Sequence, residues 1–170
     1  TARRRDRLEE LAEKLPTRVR VIEMDLSRAD NCRRLHELTA EEPVDVLINN
    51  AGFGVFGAFE ESDLERELEM LDINIRATHM LTKLYLRDFL RRGEGMILNV
   101  SSSAAFLPGP LLSSYYASKA YVLRLTEAIH EELRRKGSAV YIGALCPGPV
   151  KTEFDRVAGV HFSVKGMDSG

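Results

Sequence analysis

The sequence predicts an α/β fold built on a doubly wound parallel sheet, and two patterns carry this prediction. Segments with helical periodicity alternate along the chain with short apolar segments, as in parallel strands joined by crossover helices. The later apolar segments contain almost no polar residues, which is expected of strands covered on both faces. Because no repeat or change of composition interrupts the alternation, all 170 residues are interpreted as one domain.

The individual elements follow from periodicity and from the residues that end helices. Thr1 to Arg3 have the character of a strand end. Strands are predicted over 18–24, 44–48, 96–100 and 139–145, and helices over 6–15, 29–42, 63–91 and 113–136. We expect Ser62 or Asp63 to cap the third helix and Ser113 or Ser114 to cap the fourth.

Composition excludes several classes of function. A net charge of -2 provides no overall field for binding nucleic acid or a membrane surface, and no apolar run approaches the ~20 residues of a membrane span. Cys32 and Cys146 lie far apart in the sequence, and the four histidines form no ligand pair. We therefore expect no metal site and, since the cysteines suit a reducing compartment, a cytoplasmic protein.

One constellation points to acid-base chemistry. Tyr115 and Lys119 are four residues apart on a predicted helix, so they share a face. An ammonium beside a phenol favours the phenolate and lowers the pKa of the tyrosine. Ser102 closes a predicted strand thirteen positions earlier and can reach the same substrate oxygen. Taken alone, such a Tyr-x-x-x-Lys pair is more often two half-exposed helix residues.

In this context the chain resembles the short-chain dehydrogenase/reductase family, in its compact single-domain branch. The resemblance rests on Tyr-x-Ala-Ser-Lys at 115–119, Asn-Asn-Ala-Gly at 49–52 and Pro-Gly-Pro-Val at 147–150. It implies a Rossmann-like domain and an NAD(P)-dependent oxidoreductase that transfers hydride between nicotinamide and a small carbonyl or alcohol. It also implies a catalytic tetrad of Asn74, Ser102, Tyr115 and Lys119. Without the resemblance, Asn74 would be placed at the surface.

The resemblance also implies a set of cofactor-binding residues. Besides Tyr115 and Lys119, these are Arg3, Arg4, Asp25, Leu26, Asn49, Ala51, Gly52, Val100, Pro147, Gly148, Val150 and Thr152. Ala2 and Arg3 stand where the family places an acidic residue or an arginine, which resembles the NADP-preferring pattern. The alternatives are a solvated basic helix start at Arg3, a helix cap at Asp25, and ordinary turns at the other segments.

Two features limit the resemblance. Gly52, Gly54 and Gly57 match G-x-G-x-x-G, and Asp72 lies twenty residues beyond Gly52, the first of these glycines. We reject this as the dinucleotide fingerprint because the following helix begins too late and Asp72 lies inside it. The family's first strand and glycine-rich turn, and its last strand and helix, have no counterpart in the sequence. We therefore expect a domain truncated at both ends.

Several expectations about partners remain. The helices over 63–91 and 113–136 are apolar over more than one stripe, which suggests a homodimer or homotetramer formed through them, although thick core packing is the alternative. An apolar substrate wall is expected from Phe53, Phe106, Leu107, Leu111 and Leu112. Rival functions are a non-catalytic dinucleotide-binding or scaffold protein on the same fold, and a sugar-nucleotide epimerase or dehydratase of the extended branch.

Overall fold

A computed structural model describes residues 1–149 and Ala158. The elements in chain order are α1 (Arg5–Glu13), α2 (Ala29–Leu38), β1 (Val46–Asn49), α3 (Leu64–Leu71), a π-helical segment (Asp72–Ala77), α4 (Thr78–Arg92), β2 (Met96–Val100), a 3₁₀ turn (Ser103–Phe106), α5 (Ser113–Arg135) and β3 (Tyr141–Leu145). Within the described residues, no helix has the length and apolar character needed to cross a membrane.

The three strands form one parallel sheet in the order β1-β2-β3. The register pairs Val46 with Met96 and Met96 with Tyr141, so the strands begin at one level. Their carboxyl ends therefore meet at one edge of the sheet. The crossovers between them contain α3, α4 and α5, as parallel pairing requires. The predicted α/β fold with a parallel sheet is confirmed.

The strand predicted over 18–24 does not form. Glu23 makes a single parallel bridge with Ala2, and the Met24 amide donates to the Ala2 carbonyl over 3.0 Å. A strand needs a repeating ladder, and the described residues offer this segment no partner beyond Ala2. The prediction of a strand over 18–24 is therefore wrong in this part of the chain, where only Glu23 makes a bridge.

The two faces of the sheet have different surroundings. One face packs against α2, α4 and α5, and its residues Ile97 and Ile142 are 1% and 0% exposed. On the other face, among the described residues, five large apolar side chains are about half exposed: Val46, Ile48, Met96, Tyr141 and Leu145. Helices were expected on both faces of the sheet, and within the described residues they cover one face.

The wide apolar arcs of α4 and α5 mostly face the core. Leu81, Phe89, Val122 and Leu133 are buried, whereas Leu90 is 43% exposed. Core packing, the alternative interpretation, therefore explains most of the pattern. A homodimer or homotetramer through these helices remains a prediction.

The long helix predicted over 63–91 is interrupted. The Asp63 side chain caps α3 by accepting from the Arg66 amide over 2.9 Å, as predicted. The chain then widens into a π-helical turn over Asp72–Ala77 before α4 begins. The predicted serine cap of α5 is wrong, because the N-cap residue is Leu112 and no side chain caps this end.

Candidate active site

Tyr115 lies in the first turn of α5 and is the centre of the site. Its ring packs against the buried cluster of Phe53, Met70 and Ile73. Burial raises the pKa of Tyr115, and a side-chain hydrogen bond with Ser102 lowers this pKa by less. Ser102 lies two residues after the end of β2, and its hydroxyl also accepts from the Ala104 amide over 3.1 Å. The structure thus brings Ser102 and Tyr115 together.

Lys119 lies one helical turn after Tyr115 and is 6% exposed. Its ammonium donates to the Val100 carbonyl over 3.0 Å and lies 5.8 Å from the centre of the Tyr115 ring. Burial lowers the pKa of Lys119 to about 8. The Ser101 hydroxyl donates to the Lys119 carbonyl over 2.8 Å, which joins α5 to the end of β2.

The expected effect of Lys119 on Tyr115 is not the dominant one in the free chain. The sequence predicted a lowered pKa for Tyr115, whereas the pKa is raised. The physical reason is that the phenol is buried in an apolar cluster, and this desolvation outweighs the hydrogen bond with Ser102, which is what lowers the pKa.

Asn74 is buried in the π-helical segment, with 1% of its surface exposed. Its amide nitrogen donates to the Phe53 carbonyl and to the Ser118 hydroxyl, both over 3.0 Å. Its amide oxygen accepts from the Phe53 backbone N–H over 3.1 Å. The surface position favoured by the residue type alone is therefore wrong, since the side chain holds the loop after β1 against α5.

Gly52 shows how closely these groups converge. A Cβ atom at this position would lie 2.9 Å from Asn74 Oδ1 and 3.3 Å from Lys119 Nζ. Distances this short leave no room for a side chain. The backbone after β1 therefore packs directly against two members of the predicted tetrad, and a flat ligand can approach the exposed side of the same glycine.

Asn49 belongs to a buried polar network rather than to an open ligand surface. Its amide donates to Thr82 Oγ1 over 3.0 Å and to Asn99 Oδ1 over 2.8 Å. Asn99 in turn donates to Thr126 Oγ1 over 2.9 Å. The side chain of Asn49 thus joins β1, β2 and α4, while Ala51 and Gly52 of the same predicted cofactor segment are exposed.

Sequence reasoning missed Asn99 and Ser118. A signal for Asn99 was present, because a lone amide inside the apolar run 96–100 must find buried partners. Ser118 is fully buried, and besides its contact with Asn74 it donates to the Tyr115 carbonyl over 2.7 Å. Nothing in the sequence distinguished Ser118 from an ordinary small helix residue.

A groove of about 500 Å³ lies apart from Tyr115 and contains two of the predicted cofactor residues, Arg3 and Asp25. Asn31 and Arg34 also line it. Arg3 is paired with Glu69 of α3, with 48% of the arginine side chain exposed. Arg4, also a predicted cofactor residue, is exposed at the start of α1.

The Asp25 carboxylate accepts from the backbone N–H of Ser27 over 3.0 Å and from its hydroxyl over 2.8 Å. The N-cap residue of α2 is Arg28, and no side chain caps that helix. The alternative interpretation of Asp25 as the cap of α2 is therefore wrong. Leu26, the next predicted cofactor residue, is buried with 9% of its surface exposed.

The segment after β3 closes the site on another side. The Pro147 carbonyl accepts from the Ser103 amide over 2.9 Å, which fixes this segment beside Ser102. Gly148 is exposed, with open space where a Cβ would lie. Val150 and Thr152, the remaining predicted cofactor residues, lie outside the described residues.

The predicted apolar wall is only partly at the surface. Phe106 and Leu107 are 58% and 65% exposed, and Leu111 is 38% exposed. Leu112 is half-buried. Phe53 is instead 6% exposed and lies beneath the Arg66 guanidinium, 4.4 Å from the ring centre, so it belongs to the core.

Comparisons with known proteins identify the family to which the chain belongs. A sequence model of the short chain dehydrogenase family matches residues 1–159. The chain is 37% identical over 173 residues to 11-beta-hydroxysteroid dehydrogenase 1A of Arabidopsis thaliana, covering 98% of this chain and 48% of that protein. It is 30% identical to the very-long-chain 3-oxoacyl-CoA reductase of Homo sapiens, covering 92% of this chain and 52% of that protein.

Solved structures give the same result. A short-chain dehydrogenase from Sphingobium yanoikuyae in complex with NADPH superposes with a TM-score of 0.85 at 30% identity, covering 92% of this chain and 62% of that one. A short-chain dehydrogenase/reductase from Burkholderia phymatum in complex with NAD has a TM-score of 0.81 at 28% identity, covering 90% and 55%.

The chain spans about half the length of the curated relatives it matches. Within that span, the family model, the relatives and the parallel-sheet fold agree. The chain therefore belongs to the short chain dehydrogenase family.

Proposed function

We propose that the protein is an NADP(H)-dependent oxidoreductase that transfers hydride between nicotinamide and a small carbonyl or alcohol. The observation that carries this proposal is the convergence of Ser102, Tyr115 and Lys119 beside the carboxyl edge of the sheet. Ligands of doubly wound sheets bind at that edge. The proposal assigns the site to catalysis rather than to a scaffold, because a hydrogen bond from Ser102 and the nearby Lys119 ammonium both act on the Tyr115 phenol there.

The residues present fit a dinucleotide. The backbone at Gly52 has no side chain and lies against Asn74 and Lys119, which leaves a flat approach for a ring. At the other end, the groove beside Arg3 and Asp25 can accept an adenosine ribose. In this assignment Ala51, Val100, Pro147 and Gly148, with Val150 and Thr152 beyond the described residues, complete the nicotinamide side.

The chemistry of each residue follows from its position. Bound NADPH would supply the hydride. Tyr115 donates its proton to the substrate oxygen during reduction and accepts it during oxidation. Ser102 hydrogen-bonds the same oxygen, as it already bonds the phenol. Lys119 has a pKa of about 8, so it is mainly an ammonium at neutral pH and favours the negative charge that develops on Tyr115.

A preference for NADP(H) over NAD(H) is the finer part of the proposal. The neighbours named above include one complex with NADPH and one with NAD, so the family does not decide the cofactor. The support comes from this chain. Arg3 lines the groove, with Arg34 on its wall, and guanidinium groups suit a 2′-phosphate.

The substrate side supports an apolar carbonyl compound. Phe106, Leu107 and Leu111 expose apolar side chains in the segment between Ser102 and α5. Such a patch beside a reactive group favours an apolar substrate over a sugar nucleotide. We also propose that the full protein associates through α4 and α5, and the oligomeric state measured by sedimentation tests this point.

The experiment that tests the function is nucleotide binding followed by turnover. Because the chain has no tryptophan, the binding of NADPH and NADH is followed by the fluorescence of the nucleotides themselves. The titration is carried out with this chain and with the longest protein that its gene encodes. We expect binding of NADPH at least about tenfold tighter than NADH, which corresponds to about 1.4 kcal/mol. Oxidation of NADPH by apolar ketones is then followed by absorbance. Binding of neither nucleotide would instead support the scaffold alternative.

A further inference from the structure

The helix that carries Tyr115 begins without a side-chain cap. The N-cap residue of α5 is Leu112, which cannot accept a hydrogen bond through its side chain. Leu111, directly before it, has a φ of 66°, in the left-handed region that residues with a branched side chain rarely adopt. A strained turn of this kind persists only when surrounding contacts hold it. The start of α5 therefore depends on other parts of the chain.

Two contacts reach this turn, one from the segment that leads into α3 and one from α3 itself. The Gly57 amide donates to the Leu111 carbonyl over 2.9 Å. The Ser114 hydroxyl donates to Glu67 Oε2 over 3.0 Å. Glu67 is half-buried on α3, and Ser114 directly precedes the tyrosine. A carboxylate is also favoured near the amino end of a long helix, where the helix dipole is positive.

We propose that Glu67 is a positioning residue for Tyr115: its carboxylate fixes the first turn of α5 through Ser114, so that the phenol stays beside Ser102. This inference rests on the proposed catalytic role of Tyr115. Glu67 itself touches no reacting atom in the scheme. Removing its carboxylate should therefore loosen one turn of α5 and misplace the phenol, while the groove for the nucleotide remains unchanged.

The chain contains a matched control for this contact. The Ser62 hydroxyl donates to the other carboxylate oxygen, Glu67 Oε1, over 2.8 Å. Ser62→Ala thus removes a bond to the same carboxylate without touching α5. Ser114→Ala removes only the hydrogen bond between α5 and Glu67. Alanine does not weaken the helix, because its helix propensity exceeds that of serine. Glu65→Ala, at an exposed position on α3, controls for the loss of one charge.

The first measurement is hydrogen exchange at the Tyr116 amide, which donates to the Leu112 carbonyl over 3.0 Å in the first turn of α5. We expect Glu67→Ala and Ser114→Ala each to increase its exchange rate about fivefold to tenfold, the effect of one lost hydrogen bond. Exchange in the second half of α5 should not change. Ser62→Ala should leave the Tyr116 rate as in wild type.

Two further variants strengthen the test. Glu67→Gln should restore slow exchange, since an amide oxygen accepts the same bond from Ser114. The double variant Glu67→Ala with Ser114→Ala should exchange no faster than either single variant, because both remove one interaction. If Glu67→Ala fails to fold, Ser114→Ala alone carries the test. Wild-type exchange rates in Ser114→Ala would overturn the inference.

Kinetics then separate this inference from the proposed function. With NADPH and cyclohexanone as the probe, we expect kcat to fall about tenfold in Glu67→Ala and Ser114→Ala, with an unchanged KM for NADPH. Ser62→Ala and Glu65→Ala should keep the wild-type kcat. If the wild type turns over the ketone and kcat is unchanged in Glu67→Ala and Ser114→Ala, the proposed role of Glu67 is overturned. Faster exchange in a protein whose wild type neither binds NADPH nor turns over ketones overturns the proposed function, but not the contact.

Discussion

The reaction centre and the adenosine-side groove are built in opposite ways. Around Tyr115, the supporting side chains are buried, and each polar atom has a partner at a defined distance: Asn74, Ser101, Ser118 and Lys119. Arg3, by contrast, is about half exposed and is held by an ion pair with Glu69. Buried hydrogen-bonded groups are costly to disturb, whereas exposed ion pairs contribute little. Substitutions should therefore have large effects at the centre and small effects in the groove.

The largest effect is expected for Tyr115→Phe. Removing the phenol oxygen eliminates proton transfer to the substrate, so turnover should fall about 10²- to 10⁴-fold. Binding of NADPH should change little, because the ring remains packed in its cluster. The measurement is kcat for an apolar ketone together with the Kd for NADPH. Tyr121→Phe, at an exposed position on the same helix, is the control, and equal activity in the two variants would contradict the assignment.

The next effect is expected for Gly52→Ala. The added Cβ would lie 2.9 Å from Asn74 Oδ1, so the amide must move and its bonds to Phe53 weaken. Overpacking of this kind costs about 1 to 3 kcal/mol in free energy of unfolding. Urea denaturation measures this cost. Gly148→Ala is the control, since it has open space at the Cβ position. A Gly52→Ala variant as stable as the control would show that the contact is not tight.

A smaller and pH-dependent effect is expected for Lys119→Met. Burial lowers the pKa of Lys119 from 10.5 to about 8. Between these values the unfolded chain binds more protons than the folded chain, so wild-type stability rises with pH across this window. Below pH ~8 the full cost of the buried ammonium is present. Lys119→Met should therefore stabilise the free protein by about 1 to 2 kcal/mol at neutral pH, after allowance for its lost hydrogen bond.

Thermal or urea unfolding at several pH values measures the effect of Lys119→Met. The stabilisation should shrink as the pH rises from 8 toward 10.5, the range given by the two pKa values. Lys83→Met, at an exposed position on α4, should show no such trend. A constant difference between Lys119→Met and wild type across this range would contradict a lowered pKa.

The smallest effects are expected in the groove. Glu69 pairs with Arg3 and also with Arg66, which lies over Phe53. In the proposed NADP(H) assignment, Glu69 would therefore compete with the 2′-phosphate for Arg3. We expect Glu69→Gln to tighten NADPH binding about twofold to fivefold, as for an exposed ion pair, and to leave NADH binding unchanged. Arg3→Ala should reduce the preference for NADPH. Displacement of bound NADPH by 2′,5′-ADP, compared with displacement by 5′-AMP, measures the effect of each variant. An equal change in affinity for 2′,5′-ADP and 5′-AMP would refute the role of Arg3.

Features that depend on local sequence patterns could be predicted, whereas features that depend on contacts between distant residues could not. The fold and the convergence of Ser102, Tyr115 and Lys119 followed from local rules, namely periodicity and the meeting of strand ends at one edge. The pKa of Tyr115 did not, because its sign depends on how deeply the ring is buried by residues distant in sequence. Glu67 and Ser118 act through contacts to other elements. Their residue types are common on helices, so no local pattern distinguished them.

The π-helical turn at Asp72–Ala77 also limits which insertions and deletions this part of the chain can accept. Such a turn contains one residue more than an α-helix needs, and each residue turns an α-helix by about 100°. A deletion of Ile75 would restore regular α-helix but rotate everything before it relative to α4, including the Asp63 cap and the Glu67 contact. A change of length in this segment would therefore disturb both contacts at once, whereas substitution of the buried Asn74 would break only its own hydrogen bonds to Phe53 and Ser118. Homologous genes should therefore align through it without gaps.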